Sequence, residues 1–164
     1  MTTPCKDETV KQAFLFACFC GLRISDVRTL RWADIGKGTE GYYISKLMVK
    51  TRHVVTVPLS ENALSWMPAR GQARADDKVF ELPSFFSVNY RLKQWAREAG
   101  IDKPVTFHVS RHTFATTLLT MGVDLYTTSK LLGHQNIITT QVYAEIVNRK
   151  KVEAVNLLDQ IKPL

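Results

Sequence analysis

Cysteine is scarce in this sequence, and its number is odd. The 164 residues contain three cysteines, Cys5, Cys18 and Cys20. Small secreted domains that depend on disulfides carry a larger and even set, so a disulfide framework is excluded. Cys18 and Cys20 lie in an apolar run, where we expect them to be small buried hydrophobic side chains. This usage favours a reducing cytoplasm.

The sequence also lacks a long hydrophobic run. Its most apolar segment, AFLFACFCG at residues 13–21, is far shorter than the ~20 residues that span a bilayer. The residues before it include Asp7 and Glu8 beside Lys6, whereas an export signal needs a net positive flank. The sequence therefore predicts neither a membrane segment nor a targeting signal.

Acidic residues are few relative to basic ones. Lysine and arginine number 22 against 15 aspartates and glutamates, which gives a net charge of +7 and a pI near 9.5. Such a balance favours a polyanionic partner, nucleic acid among them. With 45% apolar residues and no internal repeat, residues 1–164 are expected to form one globular domain.

Helical patterns dominate the chain. Thr3 as N-cap and Pro4 predict a first helix that runs to Cys20 and is apolar on all faces, which is typical of a central helix. Gly21 ends it, and Ser25 is expected to cap a short helix through Leu30. Further helices are predicted from a Ser60 cap to Met67, over 84–99 with a buried stripe, and over 151–162. The buried stripe of the 84–99 helix consists of Phe85, Val88, Leu92, Trp95 and Ala99.

Between these helices the pattern changes to β-branched and aromatic runs. The segments YYISKLMV and HVVTVPL predict a β-hairpin over residues 41–59, with Lys50 near its tip. The expected fold class is mainly α with a small antiparallel β-sheet.

Four polar side chains in the last third of the chain have spacings that can bring them to one point. His108 and Arg111 are three apart, so on a helix they share one side and form an anion site. Gly133 predicts a helix end that leaves His134 at a turn. Tyr143 follows nine residues later, on a short helix that Asn136 can cap.

The run HVSRHTF, then LLGH, then a tyrosine nine residues on resembles the catalytic domain of the tyrosine recombinases, the phage integrase family. The likeness extends upstream over nearly all of the chain. GLRISDVRTL matches the segment that carries the family's first arginine, at Arg23, and VKTRHVVTVPL resembles its β-hairpin, with a lysine at Lys50. The candidate catalytic residues are Arg23, Lys50, His108, Arg111, His134 and Tyr143.

The resemblance implies a role for each of these six residues, and their chemistry agrees. Two guanidinium groups match the oxygens of a phosphodiester and stabilise the charge of its transition state. Tyr143 is the nucleophile, and His108 is the expected helper in its deprotonation. Lys50 gives a proton to the departing 5′ oxygen, and His134 donates a hydrogen bond to the phosphate. Taken singly, each residue also has an ordinary structural explanation, such as a solvated lysine at Lys50.

Further residues were assigned around this set. Asp26 is expected to orient the Arg23 guanidinium, or to be a first-turn carboxylate that the helix dipole favours. DNA-backbone contacts are predicted from basic side chains that equally suit a solvated surface. They are Arg52, Arg70, Arg74, Arg91 and Lys93.

A zinc site is the main alternative use of the histidines. His108 and His112 are four apart, as zinc ligands on a helix are, but position 109 is Val where the metalloprotease motif has Glu, and no third ligand is evident nearby. We therefore expect no metal and no cofactor. His112 is expected to pack or to hydrogen-bond locally.

Two competing functions stay open at this point. One is a type IB topoisomerase, which uses similar residues to relax supercoils. The other is a DNA-binding module without catalysis, in which helices 124–132 and 137–146 form a helix-turn-helix. The GLRISDV and LLGHQN segments favour the recombinase over the topoisomerase.

The resemblance also implies partners. These are double-stranded DNA and other copies of the chain, with a tetramer on paired sites and a monomer when free. Family members usually carry a DNA-binding domain before the catalytic one; none is expected before Thr3, so the chain resembles half of a clamp. The tail helix over 151–162 has an apolar stripe that is expected to dock, on its own domain or on a neighbouring subunit.

Overall fold

The computed structural model describes residues 3–143 and 155–156. Within these ranges the chain is mainly helical with one three-stranded antiparallel sheet, so the predicted fold class is confirmed. Residues 155–156 are helical, and the rest of the predicted helix 151–162 lies outside the described residues. The α-helices are α1 (Glu8–Cys20), α2 (Ile24–Arg28), α3 (Glu61–Ser65), α4 (Phe85–Glu98), α5 (Phe107–Thr120) and α6 (Leu125–Leu131). The strands are β1 (Ile35–Gly38), β2 (Gly41–Leu47) and β3 (Val54–Pro58), and two 3₁₀ helices cover Trp32–Asp34 and Ile137–Tyr143.

Helix α1 begins four residues later than the sequence predicts. Asp7, not Thr3, is its N-cap, and its Oδ1 accepts a hydrogen bond from the Val10 amide at 3.0 Å. The Thr3 carbonyl instead accepts from Trp95 Nε1 at 3.1 Å, so tertiary contact takes the segment out of the helix. The predicted end is confirmed, because Gly21 adopts a left-handed conformation with φ of 70°.

The main core surrounds α1, as its apolar sequence predicts. Helices α3, α4 and α5 all contact it. The Phe14 ring packs edge-on against Trp95 and Phe107, with ring centroids 6.3 and 5.9 Å apart. Phe16, which is fully buried, contacts Phe80. Each such side chain contributes about 1.5–3 kcal/mol on burial, so α1 is the element on which the rest is built.

Helix α4 is close to its predicted bounds, but its buried stripe is shifted. Val88, Leu92 and Trp95 are buried as expected, whereas Phe85 is 60% exposed and Ala99 is also exposed. Phe85 is the first residue of α4 and Ala99 lies just past its end, where the helix is no longer covered. Ala96 is buried.

The predicted hairpin is confirmed as β2 and β3, and a further strand joins it. Strand β1 pairs with β2 in antiparallel register, with Ile35 opposite Ile44, and Ile44 is opposite Val57 of β3. Two glycines made β1 a poor strand candidate in the sequence. Gly36 is nevertheless suited to its place, because the Tyr43 ring lies where a Cβ would be.

Two short helices also differ from their predicted bounds. Arg23, rather than Ser25, is the N-cap of α2, with extended backbone and no side-chain capping bond. Ser60 caps α3 as predicted, its hydroxyl accepting from the Ala63 amide at 3.2 Å, but α3 ends at Ser65 instead of Met67.

The last part of the described chain packs as a second, smaller cluster. It contains Phe114, Ala115, Leu119, Leu132 and Tyr143. The chain turn before the second 3₁₀ helix follows the prediction, because Gly133 has a φ of 63° and Asn136 Oδ1 accepts from the Ile138 amide at 2.9 Å. No helix in the described part of the chain is long and apolar enough to cross a membrane.

Candidate active site

Arg111 is the most firmly held side chain of the site. It lies on α5 and is 4% exposed. Its Nη1 donates to the Gly21 carbonyl at 2.7 Å, and its Nη2 donates to the Leu132 carbonyl at 2.6 Å. Burial, and then the charge of Arg23, lower its pKa to about 10, which leaves it charged at neutral pH. One guanidinium thus links the C-terminal ends of α1 and α6.

Arg23 lies at the junction between α1 and α2. Its side chain is partly buried, and its Nη1 is buried without a hydrogen-bond partner among residues 3–143 and 155–156. Burial lowers its pKa, and the nearby Asp26 carboxylate opposes that effect. A buried donor left unpaired costs free energy, so this nitrogen is ready to bind an anionic ligand.

Asp26 is fully buried, but it does not orient Arg23 as predicted. Its Oδ1 accepts a hydrogen bond from the Val49 amide at 2.8 Å. Its Oδ2 has no partner within the described residues. The predicted contact with Arg23 is therefore wrong, because Asp26 binds the hairpin backbone next to Lys50 and acts on Arg23 only through its charge. The alternative prediction is confirmed, since Asp26 is a carboxylate in the first turn of α2.

Lys50 lies in the exposed turn between β2 and β3. Its positive charge is among those that lower the pKa of His108, so the turn lies near that histidine. The neighbouring Thr51 carbonyl accepts from Gln135 Nε2 at 3.2 Å. This bond ties the turn of Lys50 to the turn that carries His134.

His134 is half-buried beside the two arginines. Burial, and then the charges of Arg111 and Arg23, lower its pKa to about 4, so the imidazole is neutral at pH 7. Its Nδ1 lies 2.8 Å from Thr140 Oγ1. If the Thr140 hydroxyl donates to Nδ1, the ring carries its proton on Nε2, where it can donate to a ligand. The sequence analysis missed Thr140, which is fully buried.

Tyr143 is 9% exposed and ends the second 3₁₀ helix. Burial raises the pKa of its phenol, and the charge of Arg111 opposes that rise. Its Oη lies 2.8 Å from His112 Nδ1. Among the described residues, this hydrogen bond is the one that the phenol makes.

His108, the predicted helper of Tyr143, has no hydrogen bond to it within the described range. Its ring is exposed and lies edge-on to His112 with centroids 4.5 Å apart. Burial of part of the ring, and then the charges of His112, Arg111, Arg23 and Lys50, lower its pKa.

His112 is a functional candidate whose contact with Tyr143 was not predicted from the sequence. The predicted local packing is present, since its ring lies edge-on to that of His108. Its hydrogen bond is not local, because it joins Tyr143 across 31 positions of sequence. A signal was present, since the i, i+4 spacing to His108 puts both rings on one face of α5. No group of three metal-ligating side chains is found among the residues that the structure describes.

The predicted DNA contacts fall into two groups. Arg52, Arg74 and Lys93 are exposed. Arg70 is exposed as well, but its Nε donates to the Ala73 carbonyl at 3.2 Å and its guanidinium lies over the Trp32 ring. Arg91 forms an ion pair with the α1 cap Asp7, so it supports the fold directly.

Comparisons with known proteins agree with the sequence resemblance. A family model described as "Phage integrase family" matches residues 1–149. The tyrosine recombinase XerD of Proteus mirabilis is 34% identical over 170 residues, which cover 92% of this chain and 53% of that protein. XerD of Pseudomonas putida is 34% identical over 146 residues, covering 80% and 47%. The chain thus spans about half the length of the curated relatives it matches.

Solved structures show the same fold at lower identity. The catalytic domain of bacteriophage HP1 integrase superposes with a TM-score of 0.66 at 23% identity, covering 87% of this chain and 77% of that one. XerH recombinase bound to a palindromic difH substrate, in a post-cleavage complex, gives a TM-score of 0.69 at 18% identity over 93% of this chain and 46% of that one.

Proposed function

Because the chain belongs to the phage integrase family, we propose that it is the catalytic domain of a site-specific DNA recombinase or mobile-element integrase. In this proposal it breaks and rejoins DNA strands through a 3′-phosphotyrosine intermediate. The observation that carries the proposal is the grouping of Tyr143 and His134 around the buried Arg111, whose charge acts on both side chains. The charge of Arg23 acts on His134 as well.

The two arginines bind the scissile phosphate. Arg23 Nη1 is a buried donor without a partner in the described chain, and a phosphate oxygen supplies that partner. Arg111 contributes its charge from a position fixed by two backbone carbonyls. Donors and charges fixed before the reaction stabilise a pentacoordinate transition state without a cost of reorganisation. His134 donates its remaining N–H to the same phosphate.

The strand is broken by transesterification. Tyr143 Oη attacks phosphorus, the bond from phosphorus to the 5′ oxygen breaks, and Lys50 protonates that oxygen as it leaves. The products are a 3′-phosphotyrosine and a free 5′ hydroxyl. The phosphodiester energy is retained in the new bond, so the reverse attack by a 5′ hydroxyl rejoins a strand without ATP.

Double-stranded DNA is the proposed substrate, and the net charge of +7 suits it. We assign the reaction to the cytoplasm, which the cysteine usage favours. For strand exchange the chain assembles as a tetramer on two sites and is monomeric when free. The predicted tail helix over 151–162 joins neighbouring subunits in that assembly.

The central test is capture of a covalent complex. The full chain is incubated with sheared DNA from its source organism, and fragments that stay attached to protein in SDS are recovered and sequenced. We expect one sequence to be enriched, with the tyrosine esterified, and none with Tyr143→Phe. Random fragments in equal amounts from both proteins would contradict the proposal. Covalent attachment distinguishes the proposed recombinase from a non-catalytic DNA-binding module, which would form no bond to DNA.

Strand exchange separates a recombinase from a topoisomerase. Two labelled duplexes that carry the recovered sequence should yield a recombinant product, whereas a topoisomerase would only relax a supercoiled plasmid. Leu158→Asp should reduce that product while leaving covalent attachment to single duplexes in place. Equal loss of both would contradict the assembly role of the tail.

A further inference from the structure

The phenol of Tyr143 has a direct partner that the sequence did not assign. His112 Nδ1 lies 2.8 Å from Tyr143 Oη, a normal length for a hydrogen bond to a hydroxyl. The two rings meet edge-on at 5.8 Å between centroids. Neutral imidazole accepts a proton at one nitrogen, and an exposed ring can pass it on to solvent through the other.

The other side chains around the phenol are less suited to receive its proton. Arg23 and Arg111 are cations throughout the working pH range and have no acceptor. Lys50 serves the leaving group and is a donor when charged. His134 Nδ1 is engaged with Thr140. His108, on the same helix, contacts the His112 ring rather than the phenol.

We propose that His112 is the catalytic residue that receives the proton of Tyr143 as its Oη attacks the scissile phosphorus. This inference rests on the proposed function of the site. The O–H bond of Tyr143 breaks and its proton goes to His112 Nδ1, while the oxygen forms its bond to phosphorus. The 5′ oxygen departs with a proton from Lys50. In rejoining, the proton returns from His112 to Tyr143 and Lys50 accepts one from the attacking hydroxyl, so charge and protons balance over the cycle.

His108 has a supporting role in this arrangement. Its ring lies edge-on to that of His112, and this contact limits the orientations that the His112 ring can adopt. His108 is therefore a positioning residue for His112 in the attack step.

Two variants separate proton transfer from simple positioning. His112→Asn keeps an oxygen near the place of Nδ1, so it can accept the hydrogen bond of Tyr143 but cannot take the proton. His112→Phe keeps the ring shape and removes both functions. General-base catalysis accounts for roughly 10²–10⁴-fold in rate, so both variants should form the covalent complex about 10²-fold more slowly at pH 7. Their rates should rise with pH as hydroxide replaces the base.

The probe is the duplex recovered by covalent capture, nicked beside the cleaved bond. A second version carries sulfur in place of the bridging 5′ oxygen. Sulfur leaves without protonation, so this substrate should restore the rate of Lys50→Ala but not that of His112→Asn. Added imidazole should partly restore His112→Ala, while His112→Asn should bind the duplex as tightly as the unaltered chain.

Each contrary outcome overturns the inference. A normal rate in His112→Asn would show that the hydrogen bond between His112 and Tyr143 only positions the phenol. Faster cleavage by His112→Phe would show that this hydrogen bond inhibits the attack by Tyr143. If the sulfur substrate restored the rate of His112→Asn, His112 would act in protonation of the leaving 5′ oxygen instead of deprotonation of Tyr143. His112 is exposed, so these changes remove little packing, and a thermal melt checks the fold. If the unaltered chain forms no adduct, it is the proposed function that fails.

Discussion

The two sides of the site are built differently. On the arginine side, Arg111 is buried and bonded to two backbone carbonyls, and Asp26 is fully buried beside it. On the side that moves protons, Lys50 is in an exposed turn, and Tyr143 ends a 3₁₀ helix that packs in the smaller of the two hydrophobic clusters.

The difference follows from what each side does. Charges that stabilise a transition state act best when they are fixed before the reaction. Groups that attack, protonate and release DNA have to approach and withdraw, and elements with few buried contacts open at low free-energy cost. Substitutions on the arginine side should therefore affect stability and rate together, and those on the other side should affect rate alone.

Tyr143→Phe should give the largest change in rate and one of the smallest in stability. The attacking oxygen is lost, so covalent attachment should be abolished, while the ring still fills its place in the smaller cluster. DNA affinity, measured by gel shift, should change little, because the hydrogen bond that the variant loses is made to His112 and not to DNA. An adduct formed by the variant would assign the nucleophile elsewhere, and Tyr126 is the next candidate.

Arg111→Met should lower both the rate of cleavage and the stability of the fold. The variant loses a charge at the phosphate, for which we expect about a 10²–10³-fold slower cleavage. It also leaves the Gly21 and Leu132 carbonyls unpaired, and each buried unpaired group costs about 1–3 kcal/mol. Urea denaturation measures the free energy of unfolding. An unchanged free energy of unfolding would contradict the role of Arg111 in linking the ends of α1 and α6.

Asp26→Ala should affect cleavage through the hairpin. The Val49 amide loses its acceptor, and Lys50 is the next residue. Misplacing a catalytic group by about 1 Å costs up to about 10²-fold. The sulfur-bridged duplex should restore this loss, because it does not need the proton of Lys50. Asp26→Asn keeps the oxygen that accepts from Val49 and is the matched control.

The smallest expected effect is the dependence of the free energy of unfolding on pH that His134 causes. Its pKa is about 4 in the folded chain and 6.5 in ordinary surroundings, so the unfolded chain binds the proton first as pH falls. The free energy of unfolding should therefore decrease between pH 6.5 and pH 4. His134→Asn should flatten this dependence in a series of urea titrations, with His53→Asn, a change at an exposed histidine, as control. An unaltered slope would show that His134 is not shielded as described.

Local signals in the sequence predicted most of the fold. Gly21 and Gly133 end helices, and Ser60 and Asn136 cap them, because each of these effects depends on a few neighbouring residues. Strand β1 was not predicted, because glycine disfavours strands and the space that Gly36 leaves for the Tyr43 ring is visible only in the folded chain. The start of α1 was misplaced because Trp95 takes the Thr3 carbonyl, a contact 92 positions away.

The same limit applies to the site. The spacing of His108 and Arg111 indicated a common site, since helix geometry relates them, and the family resemblance added His134. The partners of Asp26, His112 and His134 were not predictable, because Val49, Tyr143 and Thr140 come from other elements and only the folded chain brings them near. The sequence shows which chemical group a residue carries, but the tertiary structure determines which group it contacts.

The two bonds of Arg111 have an evolutionary consequence. A chain that loses this arginine loses part of its folding free energy along with its chemistry, so such descendants are removed by degradation as well as by inactivity. Inactive yet durable descendants, which occupy DNA without cutting it, should arise through changes at Tyr143 or Lys50. Relatives that have lost catalysis are therefore expected to retain this arginine long after the nucleophile has gone.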